Sequence, residues 1–394
     1  MSAKKQIRCG LIGLGLMGRE FASLAARWCH LTDLPFQPVL TAICDRNEAL
    51  YPWYADAFPT IKIKTKEHKE LLASQDVDVV YCAVPHNLHQ QLYIDIVQAG
   101  KHLFGEKPFG IDKAANAAIC AEIAKHPKQI VRCCSEFPFY PAVLRIMKSI
   151  QEKRFGRILQ VNAGFLHSSD LDPNKAINWK RMIEFNGEYG CLGDLGMHAL
   201  HVPIRAGWTP KNLRAILTKA VTERPDGKGN KVPCKTWDNG TLFCEVEDPQ
   251  KMGRFPLTVR IERIAPGEMD TWYLEILGTQ YSVRFSTKNP KCLEYMEYLP
   301  GQEQTWRRID VGFATLYPTI TGAIFEFGFC DSLQQMWAAY LAEVAAAMGA
   351  GPKNLHDPFY GCVRPDETAL HHEILTAALK SEASGQTVAV ERLA

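Results

Sequence analysis

Short apolar runs alternate with segments of helical periodicity over the first 140 residues. Because each apolar run is followed by an amphipathic segment, the pattern predicts a doubly wound parallel sheet with crossover helices. The predicted strands are Arg8–Gly13, Val39–Asp45, Val77–Val84, His102–Glu106 and Ile130–Ser135. The predicted helices are Leu16–Trp28, Lys66–Ala73, Leu88–Gln98 and Lys113–Lys125.

The pattern changes after a further helix that runs from Pro141 to about Lys153. Strand-like runs then follow one another with few helices between them, which is typical of a mainly antiparallel sheet. The runs are Arg157–Phe165, Leu213–Val221, Thr241–Val246, Leu257–Ile264, Trp272–Leu277 and Tyr281–Phe285. Two helical patterns, Ser332–Met348 and Asp366–Ser384, close the sequence.

Composition excludes several classes of protein. Hydrophobic residues make up 46% of the 394 positions and the formal net charge is +2, so there is no basic field for nucleic acid. No segment reaches the ~18 uninterrupted apolar residues of a membrane span, and Met1 to Arg8 lacks the apolar stretch of a secretory signal. Thirteen cysteines without any C-x-x-C pair suit a reducing compartment. We expect a cytoplasmic protein whose partner is a small molecule.

A glycine-rich hexapeptide, Gly13 to Gly18, follows the first predicted strand and opens the first helix. In this context Gly13 permits a tight turn, Gly15 lets the backbone approach a pyrophosphate, and Gly18 lets the helix pack on the strand. Leu16 and Met17, at the helix N-terminus, complete the predicted phosphate contact. The alternative is a strand-to-helix turn without a ligand, but the βαβ context favours dinucleotide binding.

The second strand ends in Asp45, where the adenosine ribose should lie. A carboxylate there accepts hydrogen bonds from ribose hydroxyls and repels a 2′-phosphate, which favours NAD over NADP. Arg46 leaves NADP open, because an arginine can bind that phosphate. The alternative is a strand-end Asp that caps a turn.

Two further clusters follow predicted strands, at the edge where open α/β sheets bind ligands. Pro85, Asn87 and His89 follow one strand, and Glu106 and Lys107 follow the next. Without further context, a lysine before a proline at a strand end is a solvated surface residue.

Together these features predict two domains, because single cores stop growing beyond roughly 250–300 residues. Residues 1–136 form an N-terminal Rossmann domain with a doubly wound parallel sheet. Residues 137–394 form a C-terminal α+β domain on a large, mainly antiparallel open sheet, with its terminal helices able to pack back on the first domain.

Asp194 and His198 are four residues apart and share one face of a helix. That spacing allows three interpretations: residues on a helix surface, a metal pair, or a base with an assisting carboxylate. A metal would need a third ligand, which His201 could supply. His167 and Asp170 are further candidate substrate contacts, although a structural role is the default for such a histidine.

The whole set resembles the Gfo/Idh/MocA oxidoreductases. The resemblance rests on the glycine fingerprint, the run from Ala99 to His102 that leads into Glu106-Lys107-Pro108, and Trp179. It continues through Gly190 to His198, Leu277-Gly278-Thr279 and the final Arg364-Pro365-Asp366-Glu367 helix. It therefore covers nearly the whole chain.

The resemblance implies an NAD-dependent dehydrogenase of a sugar, glycoside or polyol. His198 would be the general base, Asp194 would assist it or bind substrate, and Lys107 would bind the reacting hydroxyl. It adds Trp179 to the cofactor contacts and implies a cis Lys107–Pro108 bond. One departure concerns substrate binding: many members carry an acidic residue three positions after the histidine, where this chain has His201.

Two other functions are compatible with these motifs. An NAD-retaining glycosidase oxidises, eliminates the aglycone and reduces the product back. A regulatory dinucleotide-binding protein would need no base, and the presence of Lys107, Asp194 and His198 argues against it. We also expect a homo-oligomer, a dimer or tetramer, because Leu257, Val259 and Ile261 suggest an apolar, uncovered sheet face.

Overall fold

The protein is described by a computed structural model that covers residues 4–312, 315–322, 324–325, 327–352 and 355–391. The chain divides into two compact units. The first unit is built from Met1–Gly110, Ala114–Phe139 and Thr315–Pro365. The second unit is built from Ile111–Lys113, Tyr140–Ala314 and Asp366–Ala394. No helix within the described ranges has the length and apolar character needed to cross a membrane.

The regular elements are numbered in chain order. The strands are β1 (Lys5–Ile12), β2 (Phe36–Cys44), β3 (Ile63–Thr65), β4 (Val79–Cys82), β5 (His102–Gly105), β6 (Val131–Cys133), β7 (Ile158–His167), β8 (Pro210–Thr218), β9 (Glu223–Pro225), β10 (Lys231–Pro233), β11 (Asn239–Glu247), β12 (Arg254–Glu262), β13 (Met269–Gly278), β14 (Tyr281–Ser286), β15 (Cys292–Glu297), β16 (Arg307–Asp310) and β17 (Val388–Ala389). The α-helices are α1 (Leu16–Ala26), α2 (Tyr51–Ala57), α3 (His68–Ala73), α4 (His89–Gln98), α5 (Lys113–Lys125), α6 (Pro141–Gln151), α7 (Ile183–Asn186), α8 (Cys191–Arg205), α9 (Phe329–Ala347) and α10 (Pro365–Ser384).

The first unit contains a six-stranded sheet in the order β3-β2-β1-β4-β5-β6. Neighbouring strands are parallel throughout this order. The order reverses between β1 and β4, which is the switch point beside which open α/β sheets bind ligands. The predicted Rossmann fold is therefore confirmed. Strand β3 and helix α2 were not predicted, because each is too short to show a clear period.

Helix α9 completes the core of the first unit, although it lies far along the chain from the other helices of this unit. Its Trp337 ring lies 3.7 Å from the Phe21 ring of α1, and its Tyr340 stacks at 4.4 Å on Phe104 of β5. Large aromatic side chains bury much apolar area, so these contacts tie the helix firmly to the sheet. The first unit is thus assembled from the N-terminal part of the sequence and the later segment Thr315–Pro365.

The second unit is based on a nine-stranded sheet in the order β16-β15-β14-β13-β7-β12-β11-β8-β17. Within the described residues its strand pairs are antiparallel except for the parallel pair β7 and β12. Helix α8 lies across four central strands, β7, β11, β12 and β13. Its residues from Cys191 to Ile204 are buried. The predicted mainly antiparallel sheet is confirmed.

The predicted uncovered sheet face was assigned to the wrong residues. Leu257, Val259 and Ile261 are fully buried, on the side of β12 that packs against α8. A period of two shows which residues share a face, but it does not show which face a helix covers. The opposite face exposes Ile216 of β8 and Phe243 of β11, each about half accessible to solvent.

Candidate functional site

The turn between β1 and α1 needs glycine at two positions for reasons internal to the protein. Gly13 has φ +93°, and a Cβ there would lie 2.2 Å from the carbonyl oxygen of Ala83. A Cβ at Gly18 would lie 2.3 Å from the carbonyl oxygen of Gly13. The first glycine therefore sets the turn beside β4, and the second lets α1 approach that turn closely.

Gly15 has a different surrounding. Apart from Gly15 and its two chain neighbours, no heavy atom of the described residues lies within 4 Å of the position that its Cβ would take. Gly15 and Leu16 are exposed and Met17 is half-buried, and the first turn of α1 has no acidic side chain. The N–H groups of a helix N-terminus attract phosphate oxygens, so this open surface fits the pyrophosphate of a dinucleotide.

Asp45 connects the end of β2 with the glycine turn. Its Oδ2 accepts a hydrogen bond of 2.8 Å from the Leu14 N–H, and its Oδ1 accepts one of 2.8 Å from the Asn47 N–H. Each carboxylate oxygen retains a second lone pair that a ribose hydroxyl can use. Arg46 is exposed beside it. Asp45 thus holds the turn and keeps the acceptor capacity that the predicted ribose contact requires.

Asp45 should make the protein discriminate against NADP. Two unit charges of like sign about 4 Å apart repel each other by ~1 kcal/mol even in water, and by more near a protein surface. We therefore expect NAD to bind about tenfold or more tightly than NADP. Calorimetry with both dinucleotides measures this, with Asp45→Ser as the variant that should lose the preference. Tighter binding of NADP would mean that Arg46 governs the site instead.

The loop after β4 places its three candidate residues in unlike surroundings. Asn87 is exposed and Pro85 is half-buried, so both remain candidates for cofactor contact. His89 is fully buried. Its Nδ1 lies 2.7 Å from the Pro108 carbonyl oxygen and its Nε2 lies 3.0 Å from the Val84 carbonyl oxygen. Burial lowers the pKa of His89 to about 4. The His89 ring therefore links the loop after β4, at Val84, to the loop after β5, at Pro108.

Glu106 and Lys107 follow β5 at the same sheet edge. The buried Glu106 accepts a hydrogen bond of 2.8 Å from the Tyr81 hydroxyl, and its carbonyl oxygen accepts one of 2.7 Å from the Tyr93 hydroxyl. Lys107 is half-buried. The Lys107–Pro108 peptide bond is cis, which confirms that prediction. Glu106 is therefore fixed by the core of the first unit, with Lys107 directly after it.

In the second unit a polar edge forms where the two parallel strands end. Strands β7 and β12 run side by side with Phe165 opposite Ile261, so His167 and Arg263 emerge at one edge. Strand β13 runs the other way and begins there, with Met269 opposite His167. Side chains at the ends of three strands are thereby gathered at one place.

Helix α8 carries Asp194 and His198 to this edge. Gly190, which precedes the helix, has φ +58°, and a Cβ there would lie 2.5 Å from the Trp237 backbone nitrogen. Farther along, the indole N–H of Trp272 donates a hydrogen bond of 2.8 Å to the His198 carbonyl oxygen. A close approach at the N-terminus and a buried hydrogen bond to β13 therefore fix the position of the helix.

Asp194 is buried, and two cations contact its carboxylate. The Lys180 ammonium lies 3.2 Å from Oδ2, and the Arg263 guanidinium contacts the same oxygen. Lys180 also lies 5.6 Å from the centre of the half-buried Trp179 ring. Opposite charges this close favour the ionised form of a carboxyl group. The geometry makes Asp194 a buried anion rather than a surface residue.

His198 is buried and packs edge-on against Phe165, with ring centres 5.2 Å apart. The Phe165 ring also contacts His167, with ring centres 4.7 Å apart. His167 is half-buried, and its Nε2 lies 3.4 Å from the Asp270 carboxylate. The structure thus brings three of the predicted residues, Asp194, His198 and His167, to one region of the second unit.

Asp170 has a structural environment. It is buried, accepts a hydrogen bond of 2.9 Å from Nε of the fully buried Arg181, and pairs with Lys175 at 3.0 Å. Burial alone would raise the pKa of Asp170, but the adjacent Arg181 outweighs it and lowers the pKa below its usual range. Its carboxylate is therefore committed to the loop that carries Trp179.

Sequence reasoning missed Lys180, Arg181 and Arg263. The basic pair after Trp179 was a local signal, since two adjacent cations near a candidate site need counter-ions. Arg263 gave no such signal, because it reaches Asp194 only through the pairing of β7 with β12. The metal interpretation of Asp194, His198 and His201 loses support, because the carboxylate already has two cationic neighbours. Within the described ranges no three potential ligands are grouped for a metal ion.

A buried histidine behind α8 should make stability depend on pH. His371 of α10 is fully buried, and neither ring nitrogen has a hydrogen-bond partner among the described residues. Burial holds the pKa of His371 well below its usual range, and the neighbouring His372 adds to this. The unfolded chain therefore binds a proton that the folded chain excludes, so this stability is complete above about pH 6.5 and is lost on acidification below it.

We expect the urea midpoint to fall on acidification by more in the wild type than in His371→Leu. One excluded proton corresponds to about 1.4 kcal/mol of unfolding free energy per pH unit below ~6. The buried Leu375 of the same helix provides the control variant, Leu375→Ala, which removes packing without removing a titratable group and should retain the wild-type slope. Equal slopes in all three proteins would contradict the assignment to His371.

The parallel strand order, the glycine turn and the carboxylate after β2 define the first unit as a dinucleotide-binding fold. Residues 7–133 match the family model described as an oxidoreductase family with an NAD-binding Rossmann fold, GFO_IDH_MocA. This match assigns residues 7–133, within the first unit, to the Gfo/Idh/MocA family of NAD-binding oxidoreductases. The expected resemblance is therefore confirmed.

Relatives with named activities extend the comparison. Levoglucosan dehydrogenase of Pseudarthrobacter phenanthrenivorans is 28% identical over 334 residues, which covers 82% of each chain. A crystallised levoglucosan dehydrogenase in complex with NADH and levoglucosan has a TM-score of 0.83 at 23% identity, covering 98% of this chain and all of the other. Glycosyl hydrolase family 109 protein 1 of Phocaeicola vulgatus is 28% identical over 236 residues, 55% of this chain and 46% of that protein.

Proposed function

We propose that the protein is an NAD-dependent dehydrogenase that oxidises a carbinol of a sugar, glycoside or polyol. The observation that carries this proposal is the buried pair of Asp194 and His198 on α8, at the edge where β7 and β12 end. A carboxylate and an imidazole one helical turn apart suit proton removal from an alcohol. The similarity to levoglucosan dehydrogenase over most of the chain supports a sugar as substrate.

The bound dinucleotide would supply the hydride acceptor. Gly15 and the N-terminus of α1 would hold its pyrophosphate, and Asp45 would bind its ribose. Leu16, Met17, Arg46, Pro85, Asn87 and Glu106 would line the same sheet edge, and Trp179 is a further proposed cofactor contact. All of these assignments can be tested by single substitutions and calorimetry.

His198 would remove the hydroxyl proton of the substrate. Imidazole has an ordinary pKa of ~6.5, which suits a base that works near neutrality. Asp194 would orient the base or bind a second hydroxyl as an acceptor. Lys107 would donate a hydrogen bond to the reacting oxygen and stabilise negative charge there. His167, paired with Asp270, would contact another part of the substrate.

The alternative is an NAD-retaining glycosidase. The observation that favours it is the match to a protein named as glycosyl hydrolase family 109 protein 1, although that match spans only about half of either chain. Such an enzyme needs the same base and the same cofactor, so the residues alone do not separate the two activities. A regulatory role without turnover would leave the Asp194–His198 arrangement without a purpose.

A substrate screen separates these functions. The purified protein is incubated with NAD and a panel of levoglucosan, D-xylose, myo-inositol and nitrophenyl glycosides, while nicotinamide absorbance is followed. We expect net NADH with at least one free sugar or polyol. Release of nitrophenol without net NADH would support the glycosidase instead, and no signal with any member would support a regulatory role.

We also propose that the protein forms a homo-oligomer, through residues other than the buried Leu257, Val259 and Ile261. Phe243 and Ile216 are exposed on the open face of the nine-stranded sheet, and a second copy could cover them. Phe243→Glu should lower the oligomer mass measured by light scattering at micromolar concentration. Leu171→Glu, an exposed loop position of the second unit, is the matched control. A wild-type protein that is monomeric at that concentration would end the proposal.

A further inference from the structure

Lys180 contacts Asp194 in a way that the proposed mechanism does not use. Its ammonium lies 3.2 Å from one carboxylate oxygen and 3.4 Å from the other. We propose that Lys180 is a positioning residue, whose charge fixes the Asp194 carboxylate beside His198 and keeps His198 unprotonated and able to act as a base. This inference rests on the proposed function, because it acts through the proposed base.

The backbone of Lys180 is fixed by side chains around it. Its N–H donates a hydrogen bond of 2.9 Å to Asn178 Oδ1. Its carbonyl oxygen accepts hydrogen bonds from the Asn186 amide at 2.9 Å and from the Thr236 hydroxyl at 3.0 Å. These three side-chain hydrogen bonds hold the backbone of Lys180 in one position. The loop therefore presents Lys180 to Asp194.

The residue after Lys180 anchors the loop in the core. Arg181 is fully buried, and its Nη1 donates a hydrogen bond of 2.7 Å to Asp238 Oδ1 while its Nε donates one of 2.9 Å to Asp170. The second oxygen of Asp238 accepts hydrogen bonds from the N–H groups of Ala220 and Val221, at 2.7 Å and 3.0 Å. The anchor thus spans the loop and the sheet, so the position of Lys180 is set by the fold of the second unit.

Arg263 is the second cation on Asp194, and it differs from Lys180 in burial. Arg263 is buried, whereas the Lys180 side chain is 31% exposed. Burial and the neighbouring Arg181 lower the pKa of Arg263 to about 10, so it remains a cation at neutral pH. Removing Arg263 would change a buried group of the core, whereas Lys180 is partly exposed and its removal leaves Arg263 in contact with Asp194. The effect of a positive charge on Asp194 and His198 is therefore best tested by substituting Lys180.

Further charged and titratable groups lie near Asp194 and His198. Beyond Arg263 lie Arg181, Asp170 and Cys191. On the far side of the Phe165 ring, His167 is paired with Asp270.

Helix α8 also carries the buried His201, and α10 places His371 near Gly196, where a Cβ would lie 3.0 Å from its Nε2. His372 follows it on the same helix. All of these groups are unchanged in a Lys180 variant, so a shift measured there reports the charge of Lys180.

The charge of Lys180 has a predictable effect on His198. A positive charge nearby disfavours the protonated imidazole, so its removal should move the titration midpoint of His198 to higher pH. Coulomb's law, applied to charges several ångströms apart at an effective dielectric constant between about 80 and 20, gives a shift on the order of one pH unit, here taken as roughly 0.5 to 1.5. Lys180→Gln keeps a hydrogen-bond donor and removes the charge, whereas Lys180→Arg keeps the charge.

Lys175 provides a matched control on the same loop. Its ammonium lies 3.0 Å from the buried Asp170, and its side chain is 43% exposed. Lys175→Gln therefore also removes a partly exposed charge from a buried carboxylate, but from one that is not on α8. An effect of general loop disturbance would appear in both Gln variants. An effect specific to Asp194 and His198 would appear only in Lys180→Gln.

The test is an NMR titration of histidine side chains in the full chain without added ligand. The His198 signal is assigned by its loss in His198→Gln. We expect Lys180→Gln to raise the midpoint by roughly 0.5 to 1.5 units, and Lys180→Arg and Lys175→Gln to stay within about 0.3 unit of the wild type. With a sugar that the screen identifies, the acid limb of kcat/KM should move by the same amount.

An unmoved His198 midpoint in Lys180→Gln would overturn the inference, and so would an equal shift in Lys175→Gln. The NMR result does not require turnover, so it decides the electrostatic coupling even if no sugar is oxidised. A shifted midpoint with an unmoved acid limb would show that His198 is not the base. That outcome would overturn the role of Lys180 in the reaction together with the proposed mechanism.

Discussion

His198→Ala is expected to lower turnover by a factor of about 10² to 10⁴, the range in which positioned acid–base groups contribute. The reason is chemical: an alcohol is a very weak acid, and hydride leaves its carbon only as the proton leaves its oxygen. NAD affinity should be nearly unchanged, because the glycine turn and Asp45 belong to the first unit and His198 to the second. Steady-state kinetics and calorimetry on the same preparation measure both quantities.

Two further variants make this result specific. Lys107→Ala should also lower turnover, and the double variant should lose less than the product of the two factors, because both residues would act on one hydroxyl. The metal interpretation predicts instead that chelators abolish activity and that purified protein contains a stoichiometric ion. Near-normal activity of His198→Ala would contradict the assignment of the base.

Gly15→Val is expected to weaken NAD binding by about 10- to 100-fold, equivalent to roughly 1.4–2.8 kcal/mol, without lowering the melting temperature of the protein. Apart from Gly15 and its two chain neighbours, no described atom lies within 4 Å of a Cβ at this position, so the fold itself tolerates a side chain there. A pyrophosphate bound close to the backbone would clash with a valine side chain at this position. Calorimetry with NAD and a thermal melt of the free protein separate the two effects.

Gly13→Ala is the matched contrast for this experiment. Its Cβ would clash with the Ala83 carbonyl oxygen, and its φ of +93° disfavours any side chain. We expect a loss of stability on the order of 1–3 kcal/mol in addition to weaker binding. If Gly15→Val bound NAD as the wild type does, the dinucleotide would not lie over this turn.

Features that depend on local sequence pattern could be predicted from the sequence. The glycine turn, the carboxylate after β2 and the cluster after β5 each follow a strand whose apolar run is visible in the sequence. Because parallel strands end at one edge, the pattern also placed these residues together. The placement of Asp194 and His198 one turn apart on one helix followed in the same way from a helical period.

The parts that could not be predicted depend on contacts between distant segments. Arg263 reaches Asp194 only because β12 pairs in parallel with β7, and period-two alternation does not specify a partner strand. The covered sheet face was misassigned because alternation in β12 does not reveal where α8 packs. Helix α9 packs in the first unit through aromatic contacts with residues far away in the sequence, which a local pattern does not predict.

The most direct test of the central claim is hydride transfer from a labelled carbinol. The sugar or polyol that gives the strongest signal in the screen is prepared with deuterium at the oxidised carbon, and the NADH formed is isolated and analysed by mass spectrometry. We expect each NADH formed by the wild type to carry one deuterium. His198→Ala should form almost no NADH. Unlabelled NADH, or label lost from the sugar while no NADH accumulates, would contradict a net dehydrogenase.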